Sequence, residues 1–148
     1  MTRLSHWAVV LVVVLTGEWR TAAAADSLRA VQHTPTELSF TVEQAVAWRD
    51  FPVQATFTQG TRRIELDAYW DEGRDWRVRF AAPTPGDWAY TISSSDAALN
   101  GRTGTIHVTT PDAAAIDANS NLRGQVRVAP AGHHFTYADG TPVLLLGD

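Results

Sequence analysis

A period of two constrains this chain more than any other feature of its sequence. "ELSFTV" at 37–42 puts Leu38, Phe40 and Val42 on one face of an extended strand, and "VQATF" at 53–57 does the same with Val53, Ala55 and Phe57. "WAYTI" at 88–92 groups Trp88, Tyr90 and Ile92, and "TIHV" at 105–108 groups Ile106 and Val108. Alternation of this kind gives each strand one apolar face and one wet face. Between the strands lie "TQGT", "DEGR", "PTPGD" and "NGRTG", all rich in turn-forming residues. No stretch between 27 and 110 carries a helical period capped at both ends. Short strands separated by turns at this spacing predict an all-β antiparallel sandwich. Phe40, Phe57, Leu66, Trp76, Val78, Phe80, Trp88 and Ile106 are its expected inward residues.

The central "ELDAYWDEGRDWRVRF" reads as one hairpin. Leu66, Ala68 and Trp70 share a face in the first strand, and Trp76, Val78 and Phe80 share one in the second. Directly opposed residues lie on the same face, so the two sets match only across a loop with an odd residue count. Trp70 then opposes Trp76, Ala68 opposes Val78 and Leu66 opposes Phe80. The same register sets Asp67 against Arg79 on the wet face, a favourable cross-strand pair.

At the N-terminus, Arg3 precedes the apolar run "WAVVLVVVL" at 7–15, and "TAAAADS" follows with small-residue cleavage sites after Ala23, Ala24 or Ala25. This pattern predicts a signal peptide over 1–25 and a secreted or periplasmic product. The run is too short for an ordinary membrane span. A short N-terminal anchor or a buried helix is the alternative. The chain of 148 residues has no cysteine, so neither disulfides nor thiolate metal sites can support the fold. Its formal charge is −4, all 12 of its basic residues are arginine, and it has no long basic run. Nucleic acid is therefore not an expected partner.

After residue 110 the pattern changes. "PDAAAIDANSNLRG" at 111–124 has little apolar content and reads as a linker or an edge-hugging connection. "QVRVAP" and "HHFTYADGTPVLLLGD" then begin a new β unit, with Asp139-Gly140 expected to form a two-residue type I′ turn. That turn would oppose Tyr137 to Pro142 and Phe135 to Leu144. A hairpin of this size does not stand alone in water. The run Val143-Leu144-Leu145-Leu146 shows no polar alternation and expects cover on both faces.

These motifs, in this order, resemble secreted bacterial glycoside hydrolases of the apiosidase-like group. "RVRFAAPTPGDWAYTISSS" and "LNGRTGTIHV" are similar to the N-terminal immunoglobulin-like sandwich of that family, whose function is unassigned. "FTYADGTPVLLLGD" looks like the hairpin and first strand that open its (β/α)8 barrel. The resemblance covers about residues 36–148. It departs at Arg49-Asp50-Phe51-Pro52, where the family often has Asn-Pro-Phe, and at Ala68-Tyr69-Trp70, where a Gly-Phe is common. Taken with the N-terminal pattern, the expected order is a signal peptide (1–25), an immunoglobulin-like sandwich (26–110), a linker (111–122) and the start of a barrel (123–148). On that expectation the chain stops inside the first barrel strand, and its natural partner is its own downstream catalytic domain.

No catalytic constellation is expected within these residues. Glycosidases need two carboxylates flanking the scissile bond, and in the family's architecture these come from later barrel strands. Glu65, Asp67, Asp71, Glu72 and Asp75 cluster around one hairpin and read as a solvated face with arginine partners. His133 and His134 are adjacent, so in a strand they point apart and cannot share a metal. His107 reads as an outward strand residue, and nothing in the spacing of Ser93, Asp96 and His107 supports a triad. No cofactor and no metal are expected. Three residues are the candidates for binding, with carbohydrate as the ligand class. Trp48 lies in the loop "AVAWRDFP", and Tyr69 sits on the wet face beside Arg77. Asp148 falls at the C-terminal, functional end of the expected first barrel strand. The functional expectation is a non-catalytic accessory sandwich of a secreted glycoside hydrolase acting on plant or bacterial polysaccharide, inactive in this truncated form. A stand-alone carbohydrate-binding or adhesion module and a structural spacer remain the alternatives. For the intact enzyme a polypeptide substrate also stays open.

Overall fold

A computed structural model describes residues 26–42 and 52–144. The alternating blocks become two sheets packed face to face. The larger sheet contains β1 (Asp26–Val31), β3 (Val53–Gln59), β4 (Arg62–Asp67), β7 (Gly86–Ser94) and β8 (Thr103–Thr109), in the order β1-β8-β7-β3-β4. The smaller contains β2 (Pro35–Thr41), β5 (Tyr69–Glu72) and β6 (Asp75–Ala81), in the order β2-β6-β5. All pairings within these two sheets are antiparallel except that of β1 with β8, which is parallel. The sequence reading names no strand at 26–31; β1 is an addition to it.

The inward faces are those the alternation marks. Leu38, Phe40, Val53, Ala55, Phe57, Trp76, Val78, Phe80, Trp88, Tyr90, Ile92, Ile106 and Val108 are all buried. Phe57 from the larger sheet stacks on Phe80 from the smaller at 3.9 Å, and Trp88 meets Phe80 edge-on at 5.2 Å. The Trp88 indole Nε1 donates to the Thr84 carbonyl at 3.0 Å, which satisfies its one polar atom. Gly104 lies beneath the Tyr90 ring, where a Cβ would come within 2.6 Å of the Asp26 carbonyl oxygen.

The chain passes from the larger sheet to the smaller at two corners, and the second corrects the expected central hairpin. At the first, β1 turns into β2 through a bend closed by the Thr34 N–H donating to the Val31 carbonyl at 3.1 Å. At the second, the Ala68 N–H donates to the Val53 carbonyl at 2.8 Å, after which the chain leaves the larger sheet and enters the smaller as β5. The expected single strand is therefore two. Trp70 does oppose Trp76, and a bulge between Trp70 and Glu72 absorbs the odd loop residue. Leu66, however, pairs with Ala55 rather than Phe80 and is only half-buried. Asp67 pairs with Gln54, and Arg79 pairs with Glu37, so the expected Asp67–Arg79 pair does not form. Trp70 faces the core side, as its phase requires, yet is 41% exposed because β5 is the sheet edge.

Beyond the sandwich, residues 111–124 are not wholly irregular. Asp112 caps α1 (Ala113–Ala118), its side chain accepting from the Ala115 N–H at 2.7 Å, and a 3₁₀ turn follows at Ser120–Arg123. Three short strands, β9 (Arg127–Val128), β10 (Phe135–Thr136) and β11 (Pro142–Val143), form a small antiparallel sheet. The β10–β11 register corrects the sequence reading by one residue: Phe135 opposes Val143 and Thr136 opposes Pro142. The Tyr137 N–H donates to the Thr141 carbonyl at 2.9 Å, and the Gly140 N–H donates to the Tyr137 carbonyl at 3.0 Å. The loop thus holds three residues. Gly140 alone takes a positive φ, 91°, while Asp139 does not, so a type I turn with a glycine bulge replaces the type I′ turn. Asp139 instead uses its carboxylate to accept from the Thr141 N–H at 2.9 Å.

Candidate functional site

The alternation that sends Leu38, Phe40, Trp76, Val78 and Phe80 inward sends Glu37, Arg77 and Arg79 outward on the smaller sheet. Tyr69 and Asp71 join them from β5. Register then does what no local pattern could: Glu37 opposes Arg79, and Tyr69 opposes Arg77. The Glu37 carboxylate accepts hydrogen bonds from Arg77 Nη1, from Arg79 Nε at 3.0 Å and from the Tyr69 hydroxyl at 2.8 Å. Arg77 Nη2 also reaches Asp71 at 2.7 Å. The Arg79 guanidinium lies over the Tyr69 ring, 5.2 Å from its centroid.

These contacts decide the electrostatics of the patch. The Arg77 hydrogen bond, with those from Tyr69 and Arg79, holds the Glu37 carboxyl down to about 2. Desolvation and the bond to Glu37 push the Tyr69 phenol up, and the same carboxylate raises both arginines. Two carboxylates and two guanidiniums balance one another. Glu37 is ionised at neutral pH and has no proton to give.

Of the three residues singled out for binding, Tyr69 lies in this network, 36% exposed with one ring face under Arg79. Trp48 and Asp148 lie outside the described residues. The sequence reading missed Glu37, because its partners are 32–42 residues away and strand order is not written in local period. It also set Trp70 opposite the inward Trp76, on the face expected to be covered. Trp70 is instead the more exposed aromatic of β5, with its Nε1 donating to the Gly73 carbonyl at 3.3 Å.

The remaining acids and histidines are dispersed. Glu65 pairs with Arg63 on its own strand, Asp67 accepts from Gln54 Nε2 at 3.1 Å, and Asp75 accepts from the Thr41 hydroxyl at 2.7 Å. His107 points outward and lies 2.7 Å from Asp87, its cross-strand neighbour. Ser93 is six residues further along β7, roughly 20 Å at strand rise, so Ser93 and His107 are not brought together. Among the described residues, no group of three or more His, Cys, Asp or Glu side chains could hold a metal ion. No helix among them is long and apolar enough to cross a membrane.

Residues 30–95 match a family described as a domain of unknown function, DUF5060. No curated protein matches the chain. Among solved structures, a candidate glycoside hydrolase from Bacteroides vulgatus ATCC 8482 is similar over 78% of this chain, at 32% identity and a TM-score of 0.68. The match spans 21% of that protein's length. An engineered protein (17% identity, TM-score 0.43) and auracyanin B (18%, 0.35) each align with 58% of the chain, over 19% and 78% of their own lengths. Their TM-scores are too low to carry an argument.

Proposed function

We propose that this chain supplies the non-catalytic accessory sandwich of a secreted, apiosidase-like glycoside hydrolase acting on plant or bacterial polysaccharide. On this reading residues 1–25 are its signal peptide, and residues 123–148 open the (β/α)8 barrel that carries the chemistry. The observation that carries the proposal is the likeness to the Bacteroides vulgatus protein, of which the matched region forms about a fifth. The state of the carboxylates supports it. A glycosidase needs one carboxyl held protonated near neutral pH, close to a second that is ionised. Asp26 and Glu37 line one groove, but Asp26 is paired with Arg102 at 2.6 Å, and Glu37 is locked as an anion by three donors. Held as an anion, Glu37 cannot act as the acid.

Two measurements test the reading. Purified chain incubated with pectic, xylan and bacterial polysaccharides should release reducing ends only at the background rate. Turnover that disappears on Glu65→Gln or Asp67→Asn substitution would overturn the non-catalytic assignment. The genomic reading frame past the Asp148 codon should continue into strand–helix repeats with acidic residues at strand ends. An authentic stop there, with no barrel gene alongside, would refute the accessory role.

A further inference from the structure

Between the β1–β2 corner and the β9–β11 unit runs a cleft of 330 Å³, a size suited to one small ligand. His33 stands in its wall. Its φ of 66° is the only positive value at a non-glycine residue among the described residues. The Thr34-to-Val31 bond makes His33 the third residue of its turn, a position where glycine would carry no strain. The backbone is held there by the His33 N–H donating to the Ala82 carbonyl at 3.0 Å. Opposite the ring is Gly124, where a Cβ would lie 3.0 Å from His33 Nε2, so the chain makes room for the imidazole. Strain kept at a bulky side chain prompts the question of what that side chain does.

The rest of the lining has a definite chemistry. Asn121 and Gln125 present carboxamides, Tyr137 presents a phenol, and Pro83 and Val126 supply apolar surface. No Asp, Glu, Lys or Arg is among the cleft's lining residues. The carboxamides and the imidazole make no hydrogen bond among the described residues, and the Tyr137 hydroxyl makes only a long one, 3.3 Å to Ser120 Oγ. Burial lowers the His33 pKa, which favours the neutral ring. Arg123 lies in the neighbouring groove and is already paired with Asp139 at 3.1 Å.

We propose that this cleft binds a single residue of a neutral sugar. The carboxamides and imidazole would hydrogen-bond its hydroxyls, and the Pro83 and Tyr137 rings would meet its apolar C–H face. A neutral ligand fits because a carboxylate placed here would lose hydration without gaining a cation. The inference rests on the proposed function only in preferring sugars to other neutral polyols.

The test is a titration of the isotopically labelled full chain, followed by amide and side-chain shifts in NMR. The probes are D-glucose, D-galactose and L-arabinose, with D-galacturonate as the charged control. At least one neutral sugar should shift His33, Asn121, Gln125 and Tyr137 with a Kd on the order of 1 mM, and galacturonate should bind about tenfold more weakly. The exposed pair Asn121→Ala and Gln125→Ala, made together, should weaken the neutral sugar about tenfold with an unchanged Tm. The site is overturned if none of the three sugars shifts these residues, if galacturonate binds equally well, or if the double variant binds normally. Shifts centred on Tyr69 and Trp70 would also remove this site while leaving the accessory-domain reading in place. A missing downstream barrel would do the reverse, since the titration does not depend on it.

Discussion

Replacing Trp88 with alanine puts the packing of the sandwich to its most direct test. The indole is 0% exposed, meets Phe80 edge-on at 5.2 Å and donates to the Thr84 carbonyl at 3.0 Å. Removing a buried aromatic side chain of this size costs about 3–5 kcal/mol, and the lost hydrogen bond adds about 1 kcal/mol. Domains of this kind are stable by about 5–15 kcal/mol in total, so the alanine variant should be barely folded at 25 °C. Trp88→Phe separates the two contributions. It keeps a ring against Phe80 and loses the N–H donor with part of the volume, which should cost about 1–2 kcal/mol. At about 4–8 °C per kcal/mol for a domain of this size, its Tm should fall by roughly 5–15 °C. Scanning calorimetry and near-ultraviolet circular dichroism on the three proteins would read both effects. If Trp88→Ala melts within a few degrees of the wild type, the indole is not in the core, and the register of the larger sheet is wrong.

Three further outcomes follow from specific contacts. Glu37 has a folded-state pKa of about 2, below its ordinary 4.5, so its stabilising contribution is complete above pH 4.5 and fades as pH falls toward 2. The Tm gap between wild type and Glu37→Gln should therefore be full at pH 6 and nearly closed at pH 2; a gap that widens with acid would contradict the network. Gly104→Ala forces a Cβ to within 2.6 Å of the Asp26 carbonyl oxygen and should destabilise by about 1–3 kcal/mol in thermal melts, also in a Tyr90→Phe background, since the backbone clash remains. Deleting residues 123–148 removes the exposed apolar side chains of Val128, Phe135 and Leu144, which are 60%, 45% and 80% exposed, and should improve solubility in light scattering with little change in Tm. A Tm lowered by ten degrees or more would make that segment integral to the sandwich.

Much of the fold was legible because strand period is a local property. Each inward face of the sandwich follows from side chains two residues apart, and the opposition of Trp70 to Trp76 follows from matching two such faces across a short loop. The nearness of Tyr69 to Arg77 came with that register. Which sheet a strand joins is different. Leu66, Ala68 and Trp70 keep one unbroken phase, yet the chain changes sheets at Ala68 because β3 offers its edge to 62–67 and β6 offers its edge to 69–72. Both partners are set by packing across the whole domain. For the same reason Glu37 meets Arg77 and Arg79 only once β2 and β6 lie side by side, some 40 residues apart in the chain. Trp70 sits on the apolar face that its phase dictates and is exposed nonetheless, because nothing in a strand's own residues says whether it will be an edge. At 135–143 a single backbone angle decided the outcome: Asp139 kept a negative φ, and the hairpin register moved by one residue. Local period determines which way a side chain points, but what it meets there depends on strands brought together by burial of the common core.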